Sequence, residues 1–148
     1  MMRNMLFLFF LVVLWSSCTE KERVPAPAPP AIGIISITPD SILQFQDSAF
    51  VTIQYEDVNG DVGSSDPDAK DLEVKDSRLA QPDLYSIQPL TPDAIELFIH
   101  GQIKIKLPTL FILGNGDYET VTFSIRLRDQ SGEWSQTVTT DPIVIKRQ

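Results

Sequence analysis

From Ile32 onward the chain alternates apolar and polar side chains with a period of two. Residues 50–55 (FVTIQY) put Val51, Ile53 and Tyr55 on one face. Residues 102–107 (QIKIKL) set Ile103, Ile105 and Leu107 inward, with Lys104 and Lys106 outward. Residues 120–128 (TVTFSIRLR) alternate most cleanly, Val121, Phe123, Ile125 and Leu127 opposing Thr122, Ser124, Arg126 and Arg128. Such alternation predicts antiparallel strands with one face on a core and one in water. Shorter runs at 33–38, 72–75, 95–100, 135–139 and 143–146 predict further strands. Turn residues separate them at Asn59-Gly60, 64–67, 114–117 and Ser131-Gly132. No sustained helical period occurs, and 91–97 has room for a single turn. The pattern predicts an all-β, antiparallel sandwich of roughly seven or eight strands in one domain, 32–148.

The start of the chain follows a different rule. In MMRNMLFLFFLVVLW, Arg3 precedes an uncharged apolar run from Met5 to Trp15. The run is about 11 residues, which suits a signal peptide and falls short of the ~18 needed to span a membrane. Ser16, Ser17 and the chain's single cysteine, Cys18, follow. This stretch resembles the lipobox of bacterial lipoproteins, with Trp15 standing where that motif usually has leucine. The resemblance implies a signal peptide at 1–17 and a lipidated Cys18 that opens the mature chain. The physics agrees, because a lone cysteine in an oxidising compartment has no internal disulfide partner. Each buried acyl methylene adds ~0.8 kcal/mol of membrane affinity, and more than one chain makes attachment stable.

Thr19 is not the aspartate that retains lipoproteins in the inner membrane. The acidic residues Glu20 and Glu22 resemble a signal that sends some lipoproteins to the cell surface. The resemblance thus implies an outer-membrane, lipid-anchored location, facing outward. Val24-Pro-Ala-Pro-Ala-Pro-Pro30 favours polyproline II, so 18–31 reads as a semi-rigid tether. At ~3.1 Å per residue it lifts the domain roughly 40 Å off the bilayer.

Charge narrows the partners. Twelve Lys and Arg oppose twenty Asp and Glu, a net −8, and removal of Arg3 with the leader makes the mature chain more acidic still. No basic patch interleaved with aromatics occurs, which excludes nucleic acid as a partner.

The acids gather in YEDVNGDVGSSDPDAKDLEVKD, 55–76. Asp57, Asn59 and Asp61 present oxygens at alternate positions, with Gly60 and Gly63 free to turn tightly. Calcium takes six to eight oxygens, and calcium loops supply their first ligands at this spacing. Val62 in place of the invariant glycine, Asp68 in place of the closing glutamate, and the absence of flanking helical patterns exclude an EF-hand. A sandwich-end calcium site built from Asp57, Asn59, Asp61 and Asp66 or Asp68 is the candidate, set against an ordinary solvated loop of the same composition. The NGDVG segment, 59–63, also resembles the strand-loop segment of small bacterial lipoproteins with an Asp-Gly-Asp-x-Gly sequence. RLRDQSGEWSQTVTTDPIVIK resembles the last two strands of immunoglobulin-like domains in bacterial surface proteins, which makes the expected sandwich immunoglobulin-like. The cysteine pair of antibody domains is missing.

Catalytic motifs are missing from the sequence. The one histidine, His100, has no nucleophile and orienting acid arranged around it in the sequence, and no Gly-x-Ser-x-Gly, phosphate loop or His-Glu-x-x-His occurs. The chain therefore reads as a non-enzyme. Trp134, past the Ser131-Gly132 turn, and Tyr118 are candidate ligand contacts, weighed against Trp134 folding back over the core edge. Residues 110–113 (LFIL) read as a buried strand or a core-capping loop. The leading expectation is an anchored, non-catalytic domain that engages an envelope protein or supports envelope structure, with calcium as a stabilising ion. The alternative is a glycan-binding accessory module at the cell surface.

Overall fold

The computed structural model describes residues 28–91 and 97–148. The expected signal peptide, Cys18, most of the tether and most of the 91–97 turn lie outside the described residues. Ten strands are described: β1 (Ala31–Thr38), β2 (Ser41–Leu43), β3 (Phe50–Asp57), β4 (Leu72–Asp76), β5 (Asp83–Tyr85), β6 (Ile99–Lys106), β7 (Tyr118–Val121), β8 (Phe123–Leu127), β9 (Val138–Thr139) and β10 (Ile143–Lys146). The described residues contain no helix, and so none long and apolar enough to cross a membrane.

Three hydrogen-bonded sheets form, in the orders β1-β3-β6, β2-β10-β7 and β5-β4-β8-β9. All pairings are antiparallel except that of β2 with β10. The second and third sheets share a continuous stretch of chain. The sequence predicts a single strand over 120–128, but the structure interrupts it at Thr122. Val121 faces Ile143 whereas Ser124 faces Thr139, so the opposing stretch carries one extra residue and the ladder breaks, as at a β-bulge. Thr140 bridges the gap, its Oγ1 accepting from the Phe123 amide at 3.0 Å.

The period-two faces meet in one core. Ile32, Val51, Ile53, Tyr55 and Ile105 from the first sheet pack with Ile42, Leu72, Val74, Val121, Phe123, Ile125, Leu127, Ile143 and Ile145 from the others. The result is a sandwich-like, all-β molecule. Leu110 and Ile112 are buried while Phe111 and Leu113 between and after them are exposed. Residues 110–113 therefore form the core-capping loop and no strand. The end of the run expected at 95–100 joins the run at 102–107 as one strand, β6, which starts at Ile99 and passes through Gly101 opposite Tyr55.

Candidate functional site

The acidic loop grows out of the end of β3. Its inward series Val51, Ile53, Tyr55 continues by the same period to Asp57, which is 1% exposed. A carboxylate at that depth needs partners. Its Oδ1 accepts from the Asn59 amide and its Oδ2 from the Val62 amide, both at 3.1 Å. These bonds fold 57–62 back on itself. Gly60 and Gly63 sit at φ 70° and 87°, where a side chain is strained. A Cβ at either would also strike backbone, the Leu97 carbonyl at Gly60 and the Gln88 carbonyl at Gly63.

Val62, 1% exposed, plugs the loop into the core and pairs with Asp129 across an isolated antiparallel bridge. Gln130 fastens the two segments together. Its amide donates to the Asp61 carbonyl at 3.1 Å, and its Nε2 donates to the Gly63 carbonyl at 2.8 Å. Asp129 itself repeats the logic of Asp57 on the other sheet. It ends the inward series Phe123, Ile125, Leu127 of β8 and is 2% exposed. Its Oδ1 accepts from Ser131 Oγ and the Glu133 amide, both at 2.8 Å, which shapes the 129–133 turn. Its Oδ2 is buried with no hydrogen-bond partner, and so is Oδ1 of Asp61.

Burial, the Asp129 carboxylate and the Asp57 carboxylate, in that order, raise the pKa of Asp61 above the ordinary carboxylate value. The ion pairs among the described residues engage Asp71, Glu73, Asp76 and Glu119. Asp57, Asp61 and Asp129 have no such counter-charge among the described residues.

The other sequence candidates fall elsewhere. Asn59 is half-buried in the turn and donates its amide to Asp57. Asp66 and Asp68 are exposed, and Asp66 accepts the Asp68 amide at 2.9 Å within the next turn. Asp66 lies toward Asp71, whose pKa its charge helps raise after burial, with Arg128 opposing the shift. Asp57 and Asp61 thus stand together with Asp129, a residue that sequence reasoning did not select. The signal for it was available: the alternation of β8 runs on into Asp129, as that of β3 runs on into Asp57. Among the described residues no group of three or more His, Cys, Asp or Glu side chains is placed to hold a metal ion.

Trp134 is half-buried over the outer face of β8, where it pairs with Arg128. The Arg126 and Arg128 guanidiniums lie 4.3 and 5.3 Å from its ring centroid. It therefore lies over outward-facing arginines rather than over the core edge. Tyr118 opens β7 and is 71% exposed. His100 is exposed on β6, with the Phe98 ring 5.8 Å away.

A second surface stands out near Tyr118. Phe45, 63% exposed, stacks on Phe111, 41% exposed, with centroids 5.4 Å apart and planes 11° from parallel. Phe45 has φ 63°, a left-handed conformation costly for a bulky side chain. Its amide donates to the Leu110 carbonyl at 3.1 Å. Leu43 and Tyr118, both exposed, flank Lys146 in register on the neighbouring strands.

No family model matches the chain, and no curated protein or solved structure shows significant similarity to it.

Proposed function

We propose that the chain is a membrane-anchored, non-catalytic lipoprotein whose immunoglobulin-like sandwich binds an envelope protein. The lipid on Cys18 holds it at the outer membrane, facing outward, and the Pro/Ala tether lets the domain reach a partner. The immunoglobulin-like reading is supported by the strand order. The chain crosses between sheets several times, β3 pairing with β6 while the β4–β5 hairpin pairs with β8, and β2 joins β10 in parallel at the edge. Calcium, bound through Asp57 and Asp61, stabilises the acidic end of the sandwich in this reading.

The observation that carries the binding role is the Phe45–Phe111 stack. Two aromatic rings stay in solvent while the backbone under one of them adopts a strained conformation. Strain of this kind persists where surrounding structure over-determines it, and it clusters at functional sites. Exposed apolar surface rimmed by polar groups is what protein interfaces use.

The test is site-specific photocrosslinking from Leu43 and Leu113 in intact cells, followed by the same experiment in the Phe45→Ser/Phe111→Ser double variant. The reading expects one discrete crosslinked partner in the wild type and its loss in the double variant, with lipid attachment intact. Crosslinks unaffected by the double variant would move the contact elsewhere. Retention on a glycan matrix that is lost with Tyr118→Ala would favour the glycan-binding alternative.

A further inference from the structure

The register of the first sheet fixes the end at which the chain enters the sandwich. Ala31 opens β1 opposite Glu56, which faces His100, whereas Thr38 closes β1 opposite Phe50, which faces Lys106. The N-terminal segment therefore joins the end that carries Asp57 and the acidic loop. The Phe45–Phe111 stack lies at the other end, because Phe45 precedes β3 and Phe111 follows β6 by a few residues. Leu43 and Tyr118 reach that end on either side of Lys146. The eight residues of β3 separate the two ends by about 26 Å at ~3.3 Å per residue.

Exposed charge is divided along the same axis. At the tether end Glu56, Asp66, Asp68 and Glu133 are exposed, against Lys70. Near the stack Lys106, Lys146 and Arg147 are exposed together with Asp47 and Asp117, so no excess of acid repels a partner there. From these two polarities we infer that the anchored domain stands end-on, its acidic loop toward the bilayer, and that the Phe45–Phe111 stack docks an apolar patch of a protein presented on the side away from that bilayer. The inference rests on the anchor and the binding role proposed above, and adds the direction from which the partner comes.

The same geometry selects a protein over the other occupants. Exposed aromatic and leucine side chains beside lysines also suit a membrane interface. For the stack to touch the anchoring bilayer, however, residues 18–30 would have to run back along the domain at nearly their full reach of roughly 40 Å, which costs chain entropy. Like charge does not push the acidic end away from such a stand-off, because repulsion from anionic lipid is screened within about 10 Å. A second copy is disfavoured too. Copies anchored by the same end in one membrane stand side by side with their stacks facing the same way.

Single cysteines at the exposed Ser65 and Thr109 report the two ends, and acylation leaves Cys18 without a free thiol. The lipidated full-length Ser65→Cys and Thr109→Cys chains, each carrying a donor dye, are placed in phosphatidylcholine–phosphatidylglycerol vesicles with an acceptor dye on the headgroups. Energy transfer should be several-fold stronger from Ser65→Cys than from Thr109→Cys. Equal transfer, or stronger transfer from Thr109→Cys, overturns the orientation and leaves the anchor standing. A chain that does not bind the vesicles overturns anchor and orientation together. In intact cells a photocrosslinker at Leu113 should give one discrete protein adduct, lost in the Phe45→Ser/Phe111→Ser variant, and no lipid adduct. A lipid adduct at Leu113 makes the bilayer the occupant and overturns the inference, and the absence of any protein adduct overturns the binding role beneath it.

Discussion

Asp57 and Asp129 occupy positions that the core pattern reserves for apolar residues, and each caps a turn, with Asp57 fully partnered and Asp129 leaving Oδ2 buried and unpaired. Asp61 shares that conflict. Burial and two neighbouring carboxylates raise its pKa, so the folded domain binds this proton more tightly than the unfolded chain does. Its contribution to stability is complete below the ordinary carboxylate value and is lost as pH rises through the raised one. The charged groups facing it are Asp57 and Asp129. In metal-free buffer, Asp61→Asn should therefore melt higher than wild type at neutral pH, and the gap should close as pH falls toward about 4. A gap independent of pH would show that Asp61 carries no such repulsion. Asp129 shows how much of the site was legible. The acidic composition of 55–76 and the oxygen spacing at 57–61 were plain in the sequence, but the partner carboxylate is about 70 residues away along the chain. Only the pairing of Val62 with Asp129 brings it near, and that pairing is a property of the two sheets together.

Among the elements, the long alternating strands were legible because each carries its own inward face. β3, β6 and the β7–β8 stretch follow the period, as do β4 and β10, whereas β1 loses it at a register shift between Ile34 and Ser36, so that Ile32, Ile34 and Ile37 face the core. β2 and β5 were not legible. Each has three residues, and each is extended because a neighbour supplies the hydrogen bonds, β10 in parallel for β2 and β4 for β5. The break at Thr122 was hidden for a related reason, since the side-chain alternation runs straight through it while the partner strand shifts by one residue.

One side-chain network ties elements together at the β4 end. Arg78 bonds Asp76 at 2.6 Å, Glu119 at 2.7 Å and the Phe111 carbonyl at 2.8 Å, and Glu119 also accepts the Leu113 amide. That backbone amide, with Arg78 after it, lowers the Glu119 pKa, and Asp76 chiefly raises that of Arg78. Arg78 is 13% and Asp76 6% exposed, so removing the arginine strands a buried carboxylate. Arg78→Ala should cost about 3 kcal/mol in denaturant melts and loosen the 108–117 loop in hydrogen exchange. Loss of less than about 1 kcal/mol would mean the network is solvated and contributes as a surface pair does. Because this loop carries Phe111, the same variant should weaken the crosslink expected at the Phe45–Phe111 stack.

At the scale of the whole molecule, the acidic end and the aromatic stack are built differently. The Val62–Asp129 bridge and the Gln130 bonds tie the acidic loop to the β8–β9 turn, while the Phe45–Phe111 stack leaves two rings in solvent near the β2–β10 edge. Under the function proposed above the domain is held at a membrane surface, where an acidic chain of net charge −8 would avoid anionic lipid and the tether would set its reach. Everything in the proposed function hangs on the anchor, which the intact mass of the chain purified from its native membrane tests, with Cys18→Ser beside it. The expected result is a mature protein that begins at Cys18 and carries the mass of its acyl chains, and a Cys18→Ser chain that retains residues 1–17 and carries no lipid. An unmodified Cys18 on a chain that still begins at Met1 would contradict it.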